Sequence, residues 1–308
     1  MVLGMIGLGR MGGNMAERLL GAGHGVVGTS RTHKTVDEAV QRGVTGVYSI
    51  QELVDKLERP RAVWVMVPAG DPTDAMLQTL TPLLDEGDII IDGGNSFYKD
   101  TQRRYAALKA EGREFVDVGT SGGIWGLEEG YSLMIGGDPE PVERLRPIFE
   151  ALAPAPDRGW GHMGPSGAGH FTKMVHNGIE YGMMQALAEG FAIMEKRADL
   201  QLDLQQIAET WRHGSVVRSW LLDLIALGLE DNPALDGIAP YVQDSGEGRW
   251  TVAEAIEQDV AAPVITLALL QRLRSRDERG FADRMLAMMR NQFGGHLVKR
   301  EAGHEPSV

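Results

Sequence analysis

The 308 residues include no cysteine, so disulfides, a thiolate nucleophile and Cys-ligated zinc are all excluded. The same absence points to the cytoplasm as the compartment. No apolar run of about 18 or more residues is free of charge, so no membrane span is expected. The start, "MVLGMIGLGRMGG", has no basic leader ahead of a long apolar stretch, and it reads as a first strand, not a signal peptide. Positive charge is scarce. Thirty Lys and Arg stand against 43 Asp and Glu, a net charge of −13. A nucleic-acid partner is therefore not expected, because phosphate contacts need a basic surface. A small anionic ligand is still compatible with the chain if cations gather locally. The eight histidines form no H-E-x-x-H pair or similar ligand set, so no metal site is expected. Ser121 and Ser166 show no His/Asp arrangement of the serine-hydrolase kind.

What is present is ordinary for a globular protein large enough for two domains: 43% hydrophobic and 24% charged residues. Glycine is abundant, at 40 residues, and much of it is clustered where tight turns or close approach to a ligand would need it. From residue 2 to about 150, short apolar runs alternate with amphipathic segments. Strands are expected at Leu3–Ile6, Val26–Thr29, Ala62–Val67, Ile89–Ile91, Phe115–Val118 and Ser132–Ile135. Helices fall between them, among them Asn14–Leu20, Ile50–Lys56, Ala75–Leu84 and Asp100–Lys109. This alternation predicts an α/β fold, a doubly wound parallel sheet with helices on both faces. The Pro- and Gly-rich stretch "APAPDRGWGHMGPSGAGH" marks a boundary. Beyond it no strand alternation is found, and helices are expected at 169–196, 203–213, 216–228, 251–257, 264–276 and 280–291. The organisation expected is a Rossmann-type domain over 1–163, an all-α domain over 164–295, and a tail over 296–308 that ends in the disordered-looking "EAGHEPSV".

The first turn reads "GLGRMG", so Gly7, Gly9 and Gly12 fit G-x-G-x-x-G directly after a strand and before a helix, with Leu8, Arg10 and Met11 between them. Glycine there permits the turn and lets the backbone reach a pyrophosphate at the helix N-terminus. The end of the second expected strand reads "GTSRTHKT". Ser30, Arg31, Thr32 and Lys34 offer hydroxyls and positive charge, and no carboxylate appears before Asp37, which favours NADP over NAD. The loops "VMVPAGDP", with Val67, Pro68 and Ala69, and "IDGGNSFYKD" follow further strand ends and belong to the cofactor's neighbourhood. Asn95 and Ser96 either bond a substrate or cap the next helix. Ser121, Gly122 and Gly123 in "DVGTSGGIWG" either offer a hydroxyl and N–H groups to a carboxylate or make a turn.

"KMVHNGIEYG" places Lys173, His176, Asn177, Glu180 and Tyr181 at 0, +3, +4, +7 and +8, one face of a helix two turns tall. Met174, Val175, Ile179, Met183 and Met184 occupy the other faces and read as packing. A polar stripe on an otherwise apolar helix lines a cavity or an interface.

These stretches, with "DGGNS" (92–96), "SGG" (121–123), "GEGRWT" (246–251) and "RNQFGGH" (290–296), resemble the decarboxylating 6-phosphogluconate dehydrogenases of the β-hydroxyacid dehydrogenase superfamily, in their short form. The resemblance implies a nicotinamide cofactor and oxidation of 6-phosphogluconate to ribulose 5-phosphate and carbon dioxide, in the pentose phosphate pathway. It makes Lys173 the general base and Glu180 the general acid, with Asn177 and His176 on substrate hydroxyls. Tyr181 and Arg272 would reach the phosphate, and Asn95 with Ser121–Gly123 the carboxylate end. Arg290 and His296 match a tail motif that reaches a neighbouring subunit's site, which implies a homodimer or homotetramer with shared active sites. A lysine acts as base near neutral pH only if burial or nearby positive charge lowers its pKa. Three positions depart from the long-form pattern: Ser245 and Glu247 stand where a lysine and a threonine are expected, and Pro68 where a lysine is. Glu247 would repel a phosphate if it pointed inward. Other readings are a 3-hydroxyisobutyrate- or tartronate-semialdehyde-type enzyme, or a non-catalytic dinucleotide-binding regulator.

Overall fold

The computed structural model of the chain describes residues 1–299, so part of the expected tail lies outside the described residues. Eight strands form one sheet: β1 (Val2–Ile6), β2 (Gly25–Thr29), β3 (Thr45–Gly46), β4 (Ala62–Val65), β5 (Ile89–Asp92), β6 (Glu114–Ser121), β7 (Ser132–Gly137) and β8 (Trp160–Gly164). Between them run α1 (Arg10–Gly21), α2 (His33–Val40), α3 (Ile50–Asp55), α4 (Asp71–Leu80), α5 (Tyr98–Ala110), α6 (Gly126–Glu129), α7 (Pro139–Arg144) and α8 (Arg146–Leu152). The remaining helices are α9 (Ala168–Glu195), α10 (Leu204–Trp211), α11 (Trp220–Asp231), α12 (Glu247–Glu257), α13 (Pro263–Arg274) and α14 (Phe281–Gly294).

The strand order is β3-β2-β1-β4-β5-β6-β7-β8. β1 to β6 run parallel, while β7 pairs antiparallel with β6 and β8 runs parallel to β7. Because the chain winds outward from β1 in both directions, the crevice between β1 and β4 is the switch point where such sheets take ligands. Alternation in the strands separates two cores. Leu3, Met5, Trp64, Ile89 and Ile91 pack on one face, and Ile6, Val63, Val65, Ile90 and Phe115 on the other.

β8 lies inside the Pro/Gly-rich boundary stretch and is not among the expected strands; beyond that stretch no strand follows among the described residues. The sequence of β8, WGHMG, is short, rich in glycine and half-exposed. An edge strand covered on one side carries no alternation to read. The helix expected over 216–228 begins at Trp220, where Ser219 caps it by accepting from the Leu222 N–H at 3.2 Å. The helix expected at 251 begins at Glu247.

The chain folds into two compact units: Met1–Ile179 with Glu247–Glu257, and Glu180–Gly246 with the chain from Gln258 onward. α12 returns to the first unit because Thr251 Oγ1 donates to the Met174 carbonyl at 2.8 Å and its methyl fills the space left by Gly178. Trp250 packs on Phe97 with 5.1 Å between ring centroids, and the Tyr98 hydroxyl donates to Glu254 at 2.7 Å. In the second unit, Ala208, Leu222, Ala226 and Leu229 form a small core with Leu187 and Phe191 of α9. Ile179, Met183 and Met184, expected to pack, are exposed in the single chain.

Candidate active site

At the carboxyl end of β1, Gly7 has φ +101°, and a Cβ there would lie 2.3 Å from the Met66 carbonyl oxygen. A Cβ at Gly12 would lie 2.0 Å from the Gly7 oxygen, so α1 can start only where it does with glycine at both positions. Gly9, the residue before α1, faces open space within 4 Å. The N–H groups of the first turn of α1 are therefore approachable by a pyrophosphate, which is the fit a dinucleotide requires. At the end of β2, Thr32 is engaged as the cap of α2, with its oxygen 2.8 Å from Thr35 Oγ1. Arg31 is exposed and makes no ion pair among the described residues. Ser30 is half-buried beside it.

The next two loops are tied together by a guanidinium that the sequence did not single out. Arg104, buried on α5, donates to Asp92 at 3.3 Å, to Asp74 at 2.8 Å and to the Gly70 carbonyl at 3.1 Å. Asp92 in turn accepts from the Gly94 N–H at 3.0 Å and from Ser96 Oγ at 2.8 Å. Ser96 therefore serves the loop and does not cap α5, whose cap position is Phe97. Asn95 takes the left-handed conformation, φ +51°, and its side chain accepts from the Thr120 N–H at 2.9 Å while donating to the Thr120 carbonyl at 3.3 Å. This joins the loop after β5 to the end of β6, where Ser121 and Gly122 are half-buried and Gly123 is exposed. Pro68 is exposed, and its carbonyl accepts from Thr73 Oγ1 at 3.0 Å.

β6 also places the polar stripe of α9. Asp117, wholly buried, accepts from the N–H groups of Gly167 at 2.7 Å and His170 at 2.9 Å, at the positive end of that 28-residue helix. The clue was a carboxylate inside the apolar run "FVDVG". Two residues on, Gly119 lets the helix approach so closely that a Cβ there would lie 2.3 Å from Lys173 Cβ. Lys173 is consequently 5% exposed. Its Nζ lies 3.5 Å from His176 Nδ1, which lies 3.0 Å from Asn177 Oδ1, and Asn177 Nδ2 donates to the Glu247 carboxylate. Glu247, expected to repel a phosphate if it pointed inward, is turned toward this amide.

The second unit gathers another set. The Tyr181 hydroxyl accepts from the Ser245 N–H at 3.1 Å, and the Arg272 guanidinium stacks 3.5 Å from the centre of the Tyr181 ring. Arg272 also donates to the Gln243 carbonyl at 2.8 Å, which leaves further N–H groups of its fork. Glu180 is half-buried at the start of this unit. Arg290 is exposed on α14 and makes no ion pair among the described residues. The carbonyl of His296 accepts from Asn291 at 3.0 Å.

A glycine turn after β1, a switch-point crevice and a buried lysine on the following long helix define a nicotinamide-dependent dehydrogenase built from a Rossmann-type domain and a helical domain. Residues 2–164 match the family model described as the NAD binding domain of 6-phosphogluconate dehydrogenase, and residues 169–300 that of the 6-phosphogluconate dehydrogenase C-terminal domain. The chain belongs to the 6-phosphogluconate dehydrogenase family. It is 45% identical over 303 residues to the NAD(+)-dependent, decarboxylating 6-phosphogluconate dehydrogenase of Haloferax volcanii, covering 98% of this chain and 99% of that one. Identity to the NADP(+)-dependent enzyme of Bacillus subtilis is 39% over 300 residues, covering 92% of this chain and 64% of the longer relative. The solved structure of the Plasmodium falciparum 6-phosphogluconate dehydrogenase superposes with a TM-score of 0.83 at 29% identity, covering 99% of this chain and 67% of that one.

Proposed function

We infer that the protein carries out the oxidative decarboxylation of 6-phosphogluconate to ribulose 5-phosphate and carbon dioxide. The observation that carries this reading is the row of polar side chains Lys173, His176 and Asn177, in which the buried Lys173 is held against the end of β6 and His176 Nδ1 lies between Lys173 Nζ and Asn177 Oδ1. Held at the glycine turn of Gly7, Gly9 and Gly12, a nicotinamide cofactor would supply the acceptor for the hydride lost from C3 of the substrate. Lys173 takes the proton from the 3-hydroxyl as that hydride departs. The resulting 3-keto acid loses carbon dioxide, and the Lys173 ammonium, by donating to the carbonyl oxygen, stabilises the electron pair left behind. Glu180 then protonates C1 of the enediol. Asn177 and His176 orient the hydroxyls, and Asn95 with Ser121–Gly123 hold the carboxylate end. Tyr181 and Arg272 bind the phosphate.

The absence of a carboxylate at the end of β2 and the exposed Arg31, which makes no ion pair among the described residues, support a preference for NADP over NAD. The exposed Met183, Val264, Leu267 and Leu270 support a homodimer or homotetramer, in which Arg290 and His296 would complete a neighbour's site. No helix among the described residues is long and apolar enough to cross a membrane, and a cytoplasmic place fits a cysteine-free metabolic enzyme. The test is a steady-state assay with 6-phosphogluconate, offering NADP and NAD separately and trapping carbon dioxide. Cofactor reduction matched by carbon dioxide release is the expected result. Reduction without release, or no turnover with either cofactor, overturns the reading.

A further inference from the structure

We propose that Glu247 is a positioning residue for substrate recognition, fixing the side-chain amide of Asn177 and through it the ring of His176. The inference rests on the reading of Asn177 and His176 as substrate contacts. Glu247 is the first residue of α12 and is 6% exposed. A carboxylate so buried is costly unless hydrogen-bonded, and two features of its surroundings favour it. It sits in the first turn of a helix, where negative charge is stabilised, and it accepts from Asn177 Nδ2.

An ionised carboxylate only accepts, so the amide must turn its NH2 group toward Glu247. Asn177 Oδ1 then faces His176 Nδ1, 3.0 Å away, and His176 Nδ1 in turn lies 3.5 Å from Lys173 Nζ. An asparagine without such a neighbour has two amide orientations of similar energy, and only one presents its carbonyl to the histidine. Glu247 itself is well placed to impose the choice. Thr251, one turn on, donates to the Glu247 and Met174 carbonyls at 2.8 Å each, which fixes the start of α12 to the turn of α9 that carries the site. Glu247 thus acts on the substrate through Asn177, without a bond of its own to the reacting atoms.

The experiment is a double-mutant cycle in the full-length enzyme, comparing wild type, E247A, N177A and N177A/E247A, with E247Q as the conservative variant. E247A should lower kcat/KM for 6-phosphogluconate by about 10–100-fold, the cost of a displaced positioning group. The cofactor KM should stay within about twofold, because uniform binding of the cofactor is not touched. The double variant should be no worse than N177A alone, since the two residues act as one unit. E247Q keeps an acceptor at the same reach but adds a donor that permits the other amide orientation, so it should recover part of the rate and not all of it. Should E247A fail to fold, E247D keeps the charge, withdraws it by one methylene, and should show the same loss. Losses that multiply in the double variant overturn the proposal, as does full activity in E247A. An equal fall in substrate and cofactor efficiency together with a lower melting temperature assigns Glu247 to holding α12 in place and also overturns it. A wild type that binds cofactor but does not turn over 6-phosphogluconate overturns the functional reading instead. The coupling is then read from the melting temperatures of the same four proteins, and additivity there overturns the contact.

Discussion

In the first unit Trp64, Phe115 and Phe149 are wholly enclosed by their own chain, whereas in the second Met183, Ile193, Val264, Leu267 and Leu270 face solvent. A sheet covered by helices on both faces offers each apolar side chain a neighbour from the same chain. A set of helices gathered around a small core leaves outward apolar side chains exposed among the described residues. The polar groups follow the same division. Asp92, Arg104 and Asp117 are buried and fully engaged in the first unit, and they hold the loops and the start of α9 in one arrangement. In the second unit Arg272 lies over Tyr181 with part of its fork unengaged, and Arg290 is exposed. The lysine proposed as base thus sits in a self-sufficient scaffold, while the groups proposed for the phosphate belong to a unit that leaves large apolar side chains exposed.

The largest test of this contrast is Lys173→Ala. It should lower kcat by roughly 10²–10⁴-fold, the range of general-base catalysis, while a fluorescence titration finds cofactor affinity unchanged. Weakened cofactor binding would mean that the first unit is less self-sufficient than its burial implies. Next, Leu267→Glu with Leu270→Glu should weaken subunit association on the order of 100-fold, because a charge would be left unpaired in an apolar interface. Sedimentation velocity would show the smaller species, and an unchanged profile would remove α13 from the interface. Arg31→Ala should lower the NADP-to-NAD ratio of kcat/KM by about 10–100-fold, the worth of hydrogen bonds to a charged group. Equal effects on the two cofactors would end the 2′-phosphate role.

The smallest expected effect concerns a surface pair of the first unit. Lys109 Nζ lies 2.8 Å from Asp138, and that hydrogen bond holds the Asp138 carboxyl below its ordinary range. A depressed folded-state value means stabilisation that is present above the unfolded pKa, about 3.9, and is lost as pH falls through the folded value. Both side chains are partly exposed, so the pair contributes less than about 1 kcal/mol. Lys109→Met should lower the melting temperature slightly at neutral pH, and the difference should vanish in strong acid. A difference that persists there would place the loss in packing, not charge.

Local signals made much of this legible beforehand. The turn at Gly7, Gly9 and Gly12 is a matter of backbone sterics within six residues, and the row of Lys173, His176 and Asn177 follows from helical period alone. β8 escaped because a five-residue edge strand, WGHMG, with glycine at two positions has no alternation to read. Arg104 escaped because one of two adjacent arginines carries no mark of burial; only the arrival of Asp74, Asp92 and the Gly70 carbonyl around it assigns its task. Met183 and Met184 read as packing because apolar residues favour burial, yet in the single chain both are exposed.

The amino-acid sequence by itself determined the alternation of strand and helix, the dinucleotide turn, the lack of a carboxylate after β2 and the order of polar groups along α9. Each depends on neighbours within a few residues, and the physics that links them is local. Only the tertiary structure decided that Glu247, seventy residues downstream, meets Asn177, that Asp117 anchors the helix bearing Lys173, and that Arg104 reaches Asp74. Those pairings depend on which segments the packed sheet and helices bring within hydrogen-bond reach, and separation along the chain carries no record of that distance.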